Sequence, residues 1–431
     1  MKFRALGVLL LLVSNLAYSL DKLIIISPHR KSIQREFIPK FKEYYKKTYK
    51  TEVEVDWLDQ GGTSDDVRFI KAKFSKNPLS SGVDIFWGGG SSTFLDLGKQ
   101  GLLLPYELPE HLGKNLEQSI AGIPIYDESK TWYGSALSSF GVFYNKKILE
   151  FEKIPAPKTW DDLGNPRFMG DLSVADPRRS GSANTMNNII LQGKGWKAGW
   201  ELLTAMAGNT RSFTHSSSDP IKAVVSGDVA LAMAIDFYAQ AKIGDLGPEN
   251  LGFVMPEGQT VLDPDPVGIL KGAPNLKAAK RFVDFVLGFE AQKLLILPKG
   301  APGGPKVSSL GRLSVNKKTY QVSKGVRINE FNPFEAKAFL QLDLEESTRM
   351  QRVFNDLVGA LLVDTHHYLK RGWYRLNKSG LTPDKLAAFA KPPLTEQEFF
   401  ALEAKWNDDV FRNKTINAWV KFAKQKYQNI K

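Results

Sequence analysis

The residues best placed for chemistry in this chain are glycines and hydroxyls that stand where an apolar run gives way to a helix-like stretch. The richest such segment is Ala175-Asp176-Pro177-Arg178-Arg179-Ser180-Gly181-Ser182. Ser180 or Ser182 can cap a helix, Gly181 lets an oxygen approach the backbone, and Arg178 supplies positive charge. Gln60-Gly61-Gly62-Thr63-Ser64-Asp65-Asp66 has the same make-up, with Thr63 and Asp66 spaced as a capping-box variant. Gly88-Gly89-Gly90-Ser91-Ser92 is a third junction, and Ser27-Pro28-His29 a fourth. A triple glycine costs chain entropy unless the backbone must come close to something. The start of a helix presents unpaired N–H groups at the positive end of its dipole, which seats an anion or a polar ligand. The same residues also make an ordinary helix cap, so no single junction decides between the two. Asp236 and Tyr238 in Ile235-Asp236-Phe237-Tyr238-Ala239 add a carboxylate and a phenol at the end of another apolar run, suited to hydroxyls or a metal.

These junctions need strands and helices to hold them. Leu23–Ile26, Val53–Leu58 and Asp84–Trp87 read as strands, and 32–49, 65–77 and 92–100 as the helices between and after them. Such alternation calls for a parallel sheet covered by helices, with ligands outside the carboxyl ends of the strands, where the junctions lie. The stretch 132–145 reads as extended. A second strand–helix series starts at Leu172 and includes 229–235 and 251–255 as strands. Pro264-Asp265-Pro266 reads as an interruption, after which Val267–Leu270 and a helix over 276–287 resume the first series. Two α/β lobes joined by more than one crossing follow from this order, with lobe 1 over 20–135 and 264–332 and lobe 2 over 136–263. From 333 to 431 helical spacing continues without strand signals, giving a helical C-terminal extension.

Composition narrows the function. Lys2 and Arg4 before the apolar Ala5–Val13, then Ala17-Tyr18-Ser19, form an export signal over 1–19. The chain has no cysteine, which removes a lipid anchor, thiolate metal sites and cysteine nucleophiles, so a free periplasmic protein is expected. A net charge of +12 is spread among acids rather than gathered in a patch, which argues against nucleic acid. No G-x-S-x-G, H-E-x-x-H or phosphate-loop motif is present, so neither catalysis nor a cofactor is expected, although a secreted hydrolase is the rival from another class.

Together the exported N-terminus, Trp57 to Asp66, Asp84 to Gly90, Ala175 to Ser182, Ile235 to Ala239 and Ala301-Pro302-Gly303-Gly304-Pro305 resemble the extracellular solute-binding proteins of ABC importers. The branch is the one with ferric-ion-, phosphosugar- and phosphonate-binding members, and the likeness runs over about residues 20–330. It implies a type II-like, two-lobed fold with a hinge that closes on its ligand in the manner of a Venus flytrap, acts as a monomer and docks on an inner-membrane permease or a sensor. It places ligand contacts at Arg178, Ser180, Gly181 and Ser182 in lobe 2. Gly62, Thr63, Ser64, Gly90, Ser91 and His29 would contribute from lobe 1, with Asp236 and Tyr238 beside them. Ferric members hold the metal with two adjacent tyrosines. Here Phe237 stands at the first position, which leaves Tyr238, with His29 as a helper, for an iron alternative. A small organic anion such as a phosphate ester is the leading expectation.

Overall fold

A computed structural model of the chain describes residues 20–336 and 339–430, so the export signal expected over 1–19 lies outside the described residues. Lobe 1 begins with three strand–helix pairs: β1 (Leu20–Ile26) and α1 (Lys31–Tyr49), β2 (Glu52–Leu58) and α2 (Thr63–Lys76), β3 (Ile85–Trp87) and α3 (Ser91–Lys99). β1 pairs in parallel with both β2 and β3, as helical crossovers require. The four-residue spacing of Ile33, Phe37, Phe41 and Tyr45 puts them on one buried face of α1. Short elements β4 (Leu103–Leu104), α4 (Glu110–Gly113), β5 (Ser119–Ile120) and β6 (Ile123–Pro124) then lead to β7 (Tyr133–Asn145).

β7 belongs to both lobes. Its first half, through Ser139, pairs with β12 (Leu262–Leu270), and from Phe140 onward it pairs with β10 (Leu231–Ile235) and β11 (Leu251–Val254). Gly141 sits just past the change of partner, where a Cβ would lie 2.0 Å from the Val254 carbonyl oxygen. Only glycine lets the strands stay paired there. Lobe 2 is completed by α5 (Lys146–Glu152), β8 (Leu172–Ala175), α6 (Gly181–Lys194), α7 (Trp196–Asn209), β9 (Thr210–Thr214), α8 (Asp219–Val225) and α9 (Asp236–Leu246). The strands run in the order β2-β1-β3-β12-β7-β10-β8-β9, a two-lobed α/β arrangement. The break expected at Pro264-Asp265-Pro266 is instead a register shift inside β12, which lets the strand continue past the prolines.

After β12 the chain adds α10 (Leu276–Leu287), α11 (Phe289–Ile296) and α12 (Lys317–Val322) to lobe 1. The C-terminal helices are α13 (Leu344–Val358), α14 (His366–Lys378), α15 (Pro383–Ala390), α16 (Glu396–Ala401) and α17 (Asp409–Gln428). They do not form a core of their own. Val353, Phe354 and Leu357 share one buried cluster with Ile190, Trp200 and Leu203 of lobe 2. Trp373 Nε1 donates to Asn209 Oδ1 at 2.8 Å, and its ring lies where a Cβ on Gly208 would be, 2.4 Å away.

Candidate ligand cleft

The N-termini of α2 and α6 meet across the gap between the lobes. Ser180 caps α6: its Oγ accepts from the Ala183 N–H at 3.2 Å, and its carbonyl accepts from Asn184. Among the described residues, the N–H groups of Gly181 and Ser182 have no acceptor. On the facing side the Gly62 carbonyl accepts from the N–H groups of Asp65 and Asp66, and those of Thr63 and Ser64 are likewise free. A Cβ on Gly62, whose φ is +148°, would stand 4.0 Å from the Arg179 carbonyl oxygen. A second contact between lobes sets the Arg30 guanidinium 3.4 Å from the centre of the Tyr238 ring. Among the described residues neither Arg30 nor the exposed Arg179 has a carboxylate partner. Asp66, in the first turn of α2, turns inward. Its Oδ1 accepts from the Gln60 N–H at 2.9 Å, and burial pushes its carboxyl up to about 7.

The third junction is filled by the chain itself. Ser91, at the start of α3, gives both its N–H and its hydroxyl to Asp263 Oδ1, and the Gly89 N–H donates to Asp265 Oδ1 at 3.2 Å. Gly90 sits where a Cβ would come within 2.9 Å of Asp263 Oδ2. Asp265 also accepts from buried Arg312 and, at 2.6 Å, from His29 Nε2. His29 Nδ1 accepts from Ser27 Oγ at 2.9 Å. Arg312 Nη1 lies 2.9 Å from His29 Nε2, but a guanidinium only donates. A proton on Nε2 is the assignment that keeps the Asp265 carboxylate from facing a bare lone pair. Burial lowers the His29 pKa against the pull of Asp265, so the ring is neutral. Burial would raise that of Asp265, yet Arg312 and His29 hold it well below the usual carboxylate range. Among the described residues Asp263 has no cationic partner, and burial pushes it up to about 6.

Comparison with known proteins gives this geometry a family. A model for bacterial extracellular solute-binding proteins matches residues 81–309, more than half of the chain. The chain belongs to that family. The phosphoglycerate transport regulatory protein PgtC of Salmonella typhimurium is 32% identical over 160 residues, 37% of this chain and 39% of that protein, so the match spans well under half of the relative. Iron uptake protein A1 of Synechocystis is 26% identical over 201 residues, 42% of this chain and 54% of that protein. The periplasmic binding protein AfuA from Actinobacillus pleuropneumoniae, solved with fructose-6-phosphate, superposes with a TM-score of 0.61 at 20% identity, covering 84% of this chain and 99% of that one. Apo ferric ion-binding protein A of Pasteurella haemolytica gives a TM-score of 0.59 at 16% identity, covering 78% and 96%. At these identities the likeness is one of fold. Among the described residues no helix is long and apolar enough to cross a membrane.

In this solute-binding protein several residues expected at the ligand have other engagements. Arg178 grips Asp176 with Nε at 3.0 Å and Nη2 at 2.8 Å, and Asp364 of the extension with Nη1 at 3.0 Å and Nη2 at 2.9 Å. Burial opposes its charge, but the two carboxylates raise its pKa above the ordinary arginine value. Arg178 thus pins the α6 junction to the extension and is not an open cation. His29 lies beneath the cleft with both ring nitrogens engaged. Ser180 is the cap of α6, and the Ser91 hydroxyl is spent on Asp263. Asp236 is fully buried, with Oδ1 accepting from the Phe237 N–H at 2.7 Å, and burial pushes it up to about 7. Gly62, Thr63, Ser64, Gly181, Ser182 and Tyr238 are the predicted residues that the structure brings to the cleft. Sequence reasoning passed over Arg30, one place beyond His29, which it had singled out. It also missed Asp263 and Asp265, whose i, i+2 spacing on a strand would have put both carboxylates on one face.

Proposed function

We propose that this protein is the periplasmic capture subunit of an ABC importer and that its ligand is a small organic anion of the phosphate-ester class. The observation that carries this reading is the meeting of two helix N-termini across the cleft, each with two N–H groups that have no acceptor among the described residues, with the Arg30 guanidinium making a second contact between the lobes on Tyr238. Phosphate oxygens bonded to Gly181 and Ser182 on one lobe and to Thr63 and Ser64 on the other would be held by charge-assisted hydrogen bonds. An anion shared by both lobes binds the closed form better than the open one, and that difference is what shifts the population toward closure. Delivery to an inner-membrane permease follows from recognition of the closed form. In this reading the protein holds its ligand unchanged, as a binding protein does. An iron role has fewer donors to draw on: Tyr238 lies under a guanidinium, and His29 is committed to Ser27 and Asp265.

The test is titration calorimetry with inorganic phosphate, 3-phosphoglycerate and fructose 6-phosphate, alongside thermal melts. A ligand at one hundred times its Kd adds about 2.7 kcal/mol of stability. Ser182→Arg, which fills the seat, should abolish that gain while leaving the unliganded melting temperature near that of the parent. Absence of heat and of any shift with all three compounds removes the phosphate-ester reading.

A further inference from the structure

Beyond the facing helix starts, a cavity of about 260 Å³ lies between lobe 1, α6 and the C-terminal extension. Lobe 1 supplies Ser91, Ser92, Ile123 and Pro124, and α6 supplies Asn184, Thr185 and Asn188. Val261 and the first residues of β12, Leu262 and Asp263, line it as well, and the extension closes it with Gln341, Leu342, Leu344 and Ser347. Small-molecule pockets usually begin near ~300 Å³, so this chamber suits part of a ligand rather than a whole one. Its place on α6 says which part. Gly181, Asn184, Thr185 and Asn188 stand at i, i+3, i+4 and i+7, one face of the helix, so the chamber begins about one turn, roughly 5 Å, from the anion seat.

The extension is fixed on lobe 2 and reaches lobe 1. The Leu340 N–H donates to the Thr260 carbonyl at 2.8 Å, and the Asp343 N–H to Gln192 Oε1 at 3.0 Å. Across the cleft, Glu345 pairs with Lys99 of α3 at 2.7 Å, and Gln341 lies against Gly122 between β5 and β6. The lining chemistry is mixed. Among the described residues its one ionisable lining side chain is Asp263, and none of them is a cation that could receive a second anion. Ser347 Oγ accepts from Gln192 Nε2 at 2.9 Å and keeps its own proton to give. Asp263 and Asn188 offer acceptor oxygens, and Ile123, Leu342 and Leu344 offer apolar walls for C–H surface. Hydroxyl donors on a short carbon skeleton match both.

We propose that the C-terminal extension completes the ligand site, closing one flank of the cleft to form a chamber for the uncharged, polyhydroxylated portion of the anion. This rests on the phosphate-ester reading and adds to it that the extension sets the length and kind of organic group accepted. The test measures the affinities of the full chain for fructose 6-phosphate and for inorganic phosphate and takes their ratio. The parent should prefer the sugar phosphate at least tenfold. Ser347→Trp, filling the chamber from the extension, and Ser92→Trp, filling it from lobe 1, should each cut that ratio tenfold or more. Two variants on opposite walls guard against one that folds poorly. An unchanged ratio in both, or no preference in the parent, overturns the chamber and leaves the anion seat standing. No binding of either compound by the parent removes the phosphate-ester reading and the chamber with it.

Discussion

The starts of α3 and α6 are written in the same local grammar, a strand followed by glycines and serines, yet the fold uses them in opposite ways. At α3 two carboxylates of β12 take the N–H groups of Gly89 and Ser91 and the Ser91 hydroxyl. At α6 the chain supplies only the Ser180 cap, and the next two N–H groups stay open to the cleft. Both ends carry the same partial positive charge and both suit an anion. The difference lies in whether the anion arrives covalently, from a distant strand, or from solution. The arginines divide in the same way: Arg178 is neutralised by Asp176 and Asp364, whereas Arg179 beside it is exposed.

The largest effect should come from emptying the filled end. Asp265→Ala leaves Arg312 and His29 buried without their shared partner, and breaking a buried ion pair from one side costs about 3–5 kcal/mol. Urea unfolding at pH 7 measures it; a loss below 1 kcal/mol would mean that α3 is no more committed than α6.

A smaller effect separates the two carboxylates at that same end by pH. Asp265 has a depressed pKa, so its stabilisation is present above the ordinary carboxylate value of about 3.9 and is lost as pH falls below it. Asp263 is pushed up to about 6, so its contribution is greatest below pH ~4 and is lost as pH rises from there through 6. Asp263→Asn imitates the protonated form. It should flatten the stability profile between pH 4 and 6 and raise stability at pH 8 by about 1–2 kcal/mol. A profile unchanged by the substitution would show that the fold does not disfavour the Asp263 charge.

How far the sequence reveals this molecule depends on how local each feature is. The strand–helix pairs of lobe 1 are legible because period-two and period-3.6 patterns lie within single segments, as with Ile33, Phe37 and Phe41 of α1. The glycine and serine junctions are legible for the same reason. What fills them is not, since Asp263 meets Ser91 from 172 residues away and Asp364 meets Arg178 from 186 away. The extension shows the same limit. Its amphipathic spacing is visible, but nothing in 344–428 says that its apolar face completes the core of lobe 2 instead of closing on itself.

The finest test of the comparison lies within α6, between two serines two residues apart. Ser180 holds the Ala183 N–H and so works for the helix. Replacing such a cap by alanine costs about 1 kcal/mol, and Ser180→Ala should show that loss in urea with ligand affinity little changed. Ser182 makes no hydrogen bond to the described residues through its hydroxyl, so Ser182→Ala should leave unliganded stability within about 0.5 kcal/mol. Its cost should appear instead in the affinity for a phosphate ester, by about 1.5–3 kcal/mol for one lost hydrogen bond to a charged group. The two readouts therefore cross over between the two positions. If both variants lost stability alike and neither changed affinity, the two serines would serve only as caps of α6, and the Ser182 hydroxyl would have no part in holding the ligand.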